Sequence, residues 1–429
     1  MKQAEGFPTA PQGNVTQPSH RKQSQPHQYN APQPTPKSSG RRAGRDGPLA
    51  HVRVLDFTQL LQGPLATQIL GDLGADVIKI EKPGGEWMRS WGILASTTGG
   101  EMDSFLAFNR NKRSVAADLK DSSVRDRLLA LASDVDVVVE NFRPGVMDRL
   151  GLGYDDVARV NPKIIYASSS GYGQDGPYRD RPGQDLLVQA LAGALHLTGR
   201  DGDPPTPCGI GISDEYTGLH LVVAILAALS HRQATGEGQR VAVDLFSCTV
   251  AAQQQELTVY LNHREPMPRA KENVGHVGAT APFGTYPTAD GHLALAMMPC
   301  PELGRILGVD WLDEFDTNDR MFAERDVIHR RLAAHFGTDT TKNWLALLDA
   351  HDVWCAPVQD YPALEDDPQV RHADLLWTVP LGGDEDEGAG GDRSTFRTVG
   401  SPFTFSATPV SLRRGVPRAG QHTDEVLGG

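Results

Sequence analysis

Asp214 is the residue whose neighbours most invite chemistry. It lies in the stretch Gly209-Ile-Gly-Ile-Ser-Asp-Glu-Tyr-Thr-Gly218, with an apolar run from Leu219 to Leu229 behind it. The run reads as a buried helix, which puts Asp214 at or just before its N-terminus. Free backbone N–H groups and the positive end of the helix dipole favour a carboxylate there. The plainest role for it is a helix N-cap. Any chemical role needs partners, and these must come from elsewhere in the chain. The four cysteines, Cys208, Cys248, Cys300 and Cys355, make no Cys-x-x-Cys pair and no Cys/His cluster. Zinc and a disulfide framework are therefore unsupported, and buried free thiols in a reducing compartment are expected.

The scaffold that must carry this carboxylate reads as α/β. Val52–Phe57 is a buried strand, Thr58–Gly63 a linker, and Pro64 a first-turn residue of a helix in which Leu65, Ile69 and Leu73 fall at i, i+4 and i+8. Gly74 ends that helix, and Asp76–Glu81 is a second strand. Such a βαβ unit calls for a parallel sheet. A helix over 122–133 and strands over 135–140 and 163–168 continue the alternation. A Gly/Pro-rich loop, 171–182, leads to a helix at 184–195, and beyond Asp214 come a strand at 239–245 and a helix to Asn262. Leu61-Gln-Gly-Pro64 has one glycine where the dinucleotide signature GxGxxG needs three. The expected fold is Rossmann-like in layering only.

Residues 1–47 hold seven Lys/Arg, two Asp/Glu and no Leu, Ile or Trp. Such a segment buries too little to offset its ordering entropy, and a disordered extension is expected. The large α/β domain is expected over 48–262, completed by 361–429. A smaller α+β domain with its linkers takes 263–360, with a strand at 291–297 and helices near 301–308, 323–336 and 340–351. The acidic run Asp384–Glu387, continuing to Gly391, reads as a solvated loop. Of the net charge of −13, the first 47 residues hold about +5 and the body about −18. That body argues against nucleic acid, while leaving room for one small anion held by a few placed cations. The first 30 residues lack the apolar core of a signal peptide, and Leu221–Leu229 is too short for a bilayer of about 20 residues. A soluble cytoplasmic protein, with no membrane partner, is expected.

Seven stretches, in order, resemble one family. They are Val54-Leu-Asp-Phe-Thr58, Gly74-Ala-Asp-Val-Ile-Lys-Ile-Glu81, Asn109-Arg-Asn-Lys-Arg-Ser114, Val139-Glu-Asn-Phe-Arg-Pro-Gly145, Gly171-Tyr-Gly173, Gly236-Glu-Gly-Gln239 and Gln421-His-Thr-Asp-Glu-Val426. The set is similar to the class III CoA-transferases, the CaiB/BaiF family of formyl-CoA and carnitine CoA-transferase type, from residue 50 to the C-terminus. The resemblance implies that Asp214 attacks an acyl-CoA thioester, giving a mixed anhydride, then an aspartyl-CoA thioester, and a second anhydride with the acceptor acid. Coenzyme A would be a substrate, with no permanently bound cofactor and no metal. Its contacts would be Leu61, Gln62, Lys82, Leu119, Lys120, Asn141, Phe142 and Arg149, with Lys82 and Arg149 on phosphates. Each of those cations alone is equally a surface charge. The resemblance also implies an interlocked homodimer, whose partners are an acyl-CoA and a small carboxylic acid.

Two departures from the formyl-CoA transferase pattern stand out. Pro182 occupies the place of a lysine, with Arg181 beside it as a substitute, and Gly275-His-Val-Gly278 is the nearest match to a glycine-only shielding loop. The same fold hosts α-methylacyl-CoA racemases, which pair the aspartate with a histidine in Gly-His-Asp. Here the triplet is Gly183-Gln184-Asp185, so that reading lacks a base unless His196 or His220 replaces it. Asp185 is open between a CoA contact and a cap for its own helix. A non-catalytic acyl-CoA-binding relative is the third reading.

Overall fold

The computed structural model describes residues 47–92, 97–382 and 394–428. The expected extension over 1–47 (apart from Gly47) and the acidic run at 384–391 lie outside the described residues. Six strands, β1 Arg53–Asp56, β2 Asp76–Glu81, β3 Lys112–Ala116, β4 Val137–Glu140, β5 Ile165–Ser170 and β6 Gln239–Asp244, form one sheet in the order β3-β2-β1-β4-β5-β6. Every pairing in it is parallel. This is the doubly wound dinucleotide-fold order, so the kinship goes beyond layering, contrary to the sequence expectation.

Period-2 alternation sends the strand side chains into two cores. Val54, Val77, Val137, Val139 and Ile165 pack with Leu70, Leu221, Val222 and Ile225 on one face. Leu55, Ile78, Val115, Val138 and Tyr166 pack with Leu128 and Val157 on the other. The first core lies beneath helices α1 Gln62–Asp72 and α3 Ile212–Thr235. Between them in the chain comes α2 Asp185–Leu191, ended by Ala192 and followed by Gly193 at φ +88° and a short helix, Ala194–Leu197. The single helix expected at 184–195 is thus two pieces. The helix expected to reach Asn262 is likewise two, Leu245–Ala252 and Gln254–His263.

Strand β3 carries no apolar run to betray it. Its Lys112 and Arg113 are nonetheless buried, because buried or half-buried carboxylates meet them: Lys112 Nζ lies 3.3 Å from Asp56 Oδ2, and Arg113 Nη2 lies 2.6 Å from Asp76 Oδ2. The far edge of β3 is bonded by the end of the chain. Ser114 N donates to His422 Nδ1 at 3.2 Å, Ala116 N donates to Thr423 Oγ1 at 2.9 Å, and Arg113 pairs with Glu425.

Gly284–Pro287, His292–Leu295 and Cys355–Pro357 form an antiparallel sheet with a core of its own, including Tyr286, Leu303, Ile328, Leu332, Phe336 and Leu348. Helices Cys300–Leu307, Arg325–Phe336 and Thr341–Asp349 complete it close to the expected positions. The expectation that the cysteines are buried holds for Cys248 and Cys300, whereas Cys208 is exposed and Cys355 half-buried.

Helix α3 corrects two expectations. At 24 residues, with an 18-residue window of mean hydropathy 1.4, it is long and apolar enough to cross a membrane by length and composition, although its unbroken apolar run is short. It instead lies along the sheet with a stripe of Thr217, Leu221, Val222, Ile225 and Ala228 facing in. It is not buried all round: Leu219 and Val223 point outward, Val223 at 64% exposure.

Candidate active site

In a doubly wound sheet the ligand crevice opens at the carboxyl ends of the strands, where the order reverses. Here that point lies between β1 and β4. The loop after β1, Phe57–Leu61, is fixed from below by buried ions. Asp56 Oδ1 accepts from Thr58 N at 2.8 Å and Thr58 Oγ1 at 2.5 Å, and Oδ2 accepts from Thr67 Oγ1. Lys79 Nζ donates to Thr58 O at 2.8 Å, and Lys112 Nζ to Pro64 O at 3.0 Å, so two ammonium groups hold the two ends of the turn. Burial pushes the Lys112 ammonium down to about 8 against the pull of Asp56. Burial also opposes ionisation of Asp56, yet Lys112, Lys79 and the two threonine hydroxyls keep its pKa below the usual value.

Across the switch point, Asn141 completes the turn. Its Oδ1 accepts from Gln59 N at 2.8 Å, and its Nδ2 donates to Gln59 O at 2.7 Å. Phe142 and Leu119 are half-buried against the same core. Lys82 and Lys120 are exposed just beyond β2 and β3, and Arg149 is exposed in the short helix Val146–Arg149. Arg149 has company that the sequence reading missed. A Cβ at Gly145 would lie 3.2 Å from Arg149 Nη1 and 3.3 Å from Arg179 Nη2, so two guanidinium groups converge there. Arg181 is exposed and stacks on Tyr178, 4.1 Å from the ring centroid.

Asp214 lies on α3, which packs on α1 and on strands β5 and β6. It is the third residue of α3, and the position before the helix is Gly211, with no side-chain cap. Asp214 is therefore not an N-cap, contrary to the plainest sequence reading. The first turn of α3 rests on the start of α1 because glycines allow it. A Cβ at Gly218 would lie 2.8 Å from Gln62 O, and one at Gly211 would lie 3.7 Å from Leu61 Cδ1. Gln62 is fixed in turn, its Oε1 accepting from Ser169 Oγ at 2.8 Å. Leu61 at the head of α1 has no side-chain oxygen to cap it and Pro64 has no N–H, which leaves the Gln62 and Gly63 N–H groups without a side-chain cap.

Asp185 caps α3 rather than its own helix. Its Oδ1 accepts from Ser213 N at 2.8 Å and Asp214 N at 3.1 Å. The Ser213 and Asp214 N–H groups at the start of α3 are therefore already engaged and are not free for an oxyanion. The loop 171–182 delivers Asp185 to this place: Gly171 and Gly183 touch backbone to backbone, and a Cβ on Gly171 would lie 2.6 Å from Gly183 Cα. Burial, then the charges of Asp185 and Glu215, push the Asp214 carboxyl up to about 7. Glu140, beside Asn141, is likewise raised to about 7, by burial.

Of the two histidines offered as racemase bases, His220 is poorly placed. His220 Nδ1 donates to Tyr216 O at 2.9 Å on α3, and six residues of helix separate it from Asp214 by ~9 Å along the axis. His196 lies in the short helix Ala194–Leu197. His276 of the Gly275–Gly278 loop is held by Glu256 at 2.6 Å.

This geometry can now be set beside known proteins. Residues 49–423 match CoA-transferase family III. The chain belongs to that family. Among its relatives, an acyl-CoA transferase of Fusarium pseudograminearum is 37% identical over 395 residues, covering 89% of this chain and 84% of that one. Succinyl-CoA:glutarate CoA-transferase of Mus musculus is 35% identical, covering 89% and 86%. Formyl-CoA:oxalate CoA-transferase of Streptomyces avermitilis is 33% identical, covering 89% and 95%. The crystal structure of a CaiB/BaiF family protein from Brucella suis superposes with a TM-score of 0.77 at 30% identity, covering 89% of this chain and 99% of that one. The expectation of an enzyme that moves CoA between an acyl-CoA and a carboxylic acid is borne out.

Proposed function

We propose that Asp214 is the nucleophile of this CoA-transferase. The observation that carries the reading is its seat: a half-buried carboxylate in the first turn of α3, a helix whose Gly211 faces Leu61 and whose Gly218 faces Gln62 at the start of α1. A carboxylate oxygen of Asp214 bonds to the thioester carbonyl carbon, the C–S bond breaks, and its electron pair leaves with CoA as thiolate. The thiolate then attacks the aspartyl carbonyl of the anhydride, and the donor acid leaves as a carboxylate. The acceptor acid repeats the exchange in reverse order. No proton is consumed in any of these steps. The uncapped N–H groups of α1 are suited to the oxyanion of each tetrahedral intermediate, and Leu61 and Gln62 line that approach. The CoA chain would then cross the switch point past Asn141 and Phe142. Lys82, Lys120, Arg149 and Arg179 are the cations within that region for its phosphates, and Leu119 offers apolar surface beside them.

The partners are an acyl-CoA and a small carboxylic acid, the class on which the named relatives act. A second copy of the chain is the third partner. The outward apolar side chains Leu186, Leu187 and Leu191 of α2 and Leu219 and Val223 of α3 make a continuous reason for one. An interlocked pair is the arrangement proposed.

The deciding experiment is covalent loading. An acyl-CoA alone should give a protein adduct of acyl or CoA mass that hydroxylamine releases, and Asp214→Ala should abolish both adduct and exchange. Solvent deuterium entering a 2-methylacyl-CoA at a catalytic rate, with no adduct, would instead mark Asp214 as an acid/base group and overturn the transferase role. CoA binding without exchange would leave a binding protein.

A further inference from the structure

A helix start normally offers its first N–H groups to whatever lies in front of it. At α3 a second carboxylate takes them, through the bonds from Ser213 N and Asp214 N to Asp185 Oδ1. That carboxylate is itself held. Gln189 Nε2 donates to Asp185 Oδ2 at 2.5 Å, and Gln189 Oε1 accepts from Cys208 N at 3.0 Å. Gln189 is 2% exposed, and with its oxygen engaged by an N–H its NH₂ group has to face Asp185. A neutral serine or asparagine would satisfy the same helix donors. The use of a charge, clamped by a buried amide next to a half-buried aspartate, is what needs a reason.

We propose that Asp185, clamped by Gln189, is a positioning residue that withholds the α3 donors from Asp214 and sets a negative charge beside it, making Asp214 a stronger nucleophile. This rests on the reading of Asp214 as the attacking group. A carboxylate bonded to N–H groups has its lone pairs stabilised before reaction and attacks reluctantly. Without them it is more basic. The neighbouring charge adds a differential effect. As the C–O bond forms, the negative charge moves from the Asp214 carboxylate to the thioester oxygen and then departs with the CoA thiolate, so its repulsion by Asp185 weakens as the charge moves away. Repulsion relieved on the way to the transition state raises the rate, whereas uniform binding does not. The charged groups that bear on Asp214 are Asp185 from α2 and Glu215 from its own helix. The start of α1 brings Leu61 and Gln62, which are uncharged. The helix Leu245–Ala252 brings Thr249, bonded to Ser213 Oγ at 2.8 Å, and the Cys248 thiol, which burial pushes up and keeps neutral, with Asp244 at its start.

Asp185→Asn keeps an oxygen for both helix N–H groups and removes the charge. The full chain is mixed with succinyl-CoA in single turnover, and adduct formation is followed by mass from about pH 5 to about pH 9. In the wild type the rate should rise with a midpoint near 7, as Asp214 ionises. In the variant the midpoint should move down by at least about one pH unit. Its alkaline plateau should fall roughly three- to tenfold, taking a nucleophile's Brønsted slope as about 0.4–0.5. The two profiles cross, with the variant faster in acid and slower in alkali. A loss of rate at every pH with an unmoved midpoint is the signature of a merely structural residue and overturns the proposal. Asp185→Ser, which also offers an uncharged acceptor, is held to the same criteria if the asparagine variant does not fold. The ¹³C carboxyl resonance of Asp214, identified by its loss in Asp214→Asn, reads the midpoint without substrate. An adduct with an unmoved resonance midpoint sinks the proposal alone. A moved midpoint with no adduct from the wild type sinks the nucleophile reading and leaves the charge coupling standing.

Discussion

At the scale of single residues, Asp214 is held in tension with the fold that carries it. Its carboxyl sits near 7 instead of the usual 3.8, so the folded state binds a proton that the unfolded chain has already released between these values. Stability contributed by this group therefore falls as pH rises from about 4 to about 7 and stays low above it. The upper bound on the effect is about 4 kcal/mol, and solvent reaching the half-buried group reduces it to ~2 kcal/mol. Asp214→Asn should accordingly raise the urea midpoint at pH 8 and leave it nearly unchanged at pH 4. An equal gain at both values would show that the carboxylate is not destabilised by its surroundings. The sequence showed the aspartate and its glycines plainly. It did not show Asp185 at the helix start or Gln189 behind it, because a cap supplied from another helix, 28 residues earlier for Ser213, leaves no local spacing to read.

At the scale of elements, the turn after β1 depends on ions that the sequence reading assigned only to a family pattern. Lys112 falls in the stretch Asn109–Ser114 that carries the family resemblance, yet it is fully buried on a strand and bonds Pro64 O, Asn109 Oδ1 at 2.9 Å and Asp56. Alternation could not reveal β3, since burial there is bought by ion pairing and not by apolar side chains. Lys112→Met fits the space but strands the Asp56 carboxylate and frees one end of the turn. It should cost about 3–5 kcal/mol in urea unfolding, since the partner charge is left buried. Any folded variant should show a raised KM for acyl-CoA, because Leu61 and Gln62 ride on that turn. A loss under 1 kcal/mol would mean that Lys79 alone holds Asp56 and the turn. The apolar strands and the helices with 3.6-residue spacing were legible for the opposite reason: their burial is paid in side chains that the chain displays openly.

At the scale of the whole molecule, the α/β alternation was readable and the strand order was not, because order is set by which crossover turns back over the sheet. The outward face of α2 and α3 was invisible too, as Leu219 and Val223 read as core until the sheet is seen to lie on the other side. Sedimentation equilibrium at micromolar concentration should show a dimer, and a stable monomer would remove the second copy as the cover for that face. Linked rings make a sharper demand. Tagged and untagged dimers, mixed under native conditions, should exchange no chains over hours, whereas exchange within minutes would show two chains merely docked.

The bonds from His422 and Thr423 to β3 set a timetable for the nascent chain. Ala116 N waits for Thr423 Oγ1, 307 residues downstream. At about 5–20 residues per second that is roughly 15–60 s of translation during which the border of the sheet stands unpaired on the ribosome. An open strand border is the place where foreign strands add, so newborn chains are most exposed to mispairing in this interval, and a chaperone has most to offer then. For a pair of linked rings the same interval has a use. In the interlocked arrangement proposed above, a ring shut by His422 and Thr423 would admit a sister chain until those residues dock on β3, and not afterwards.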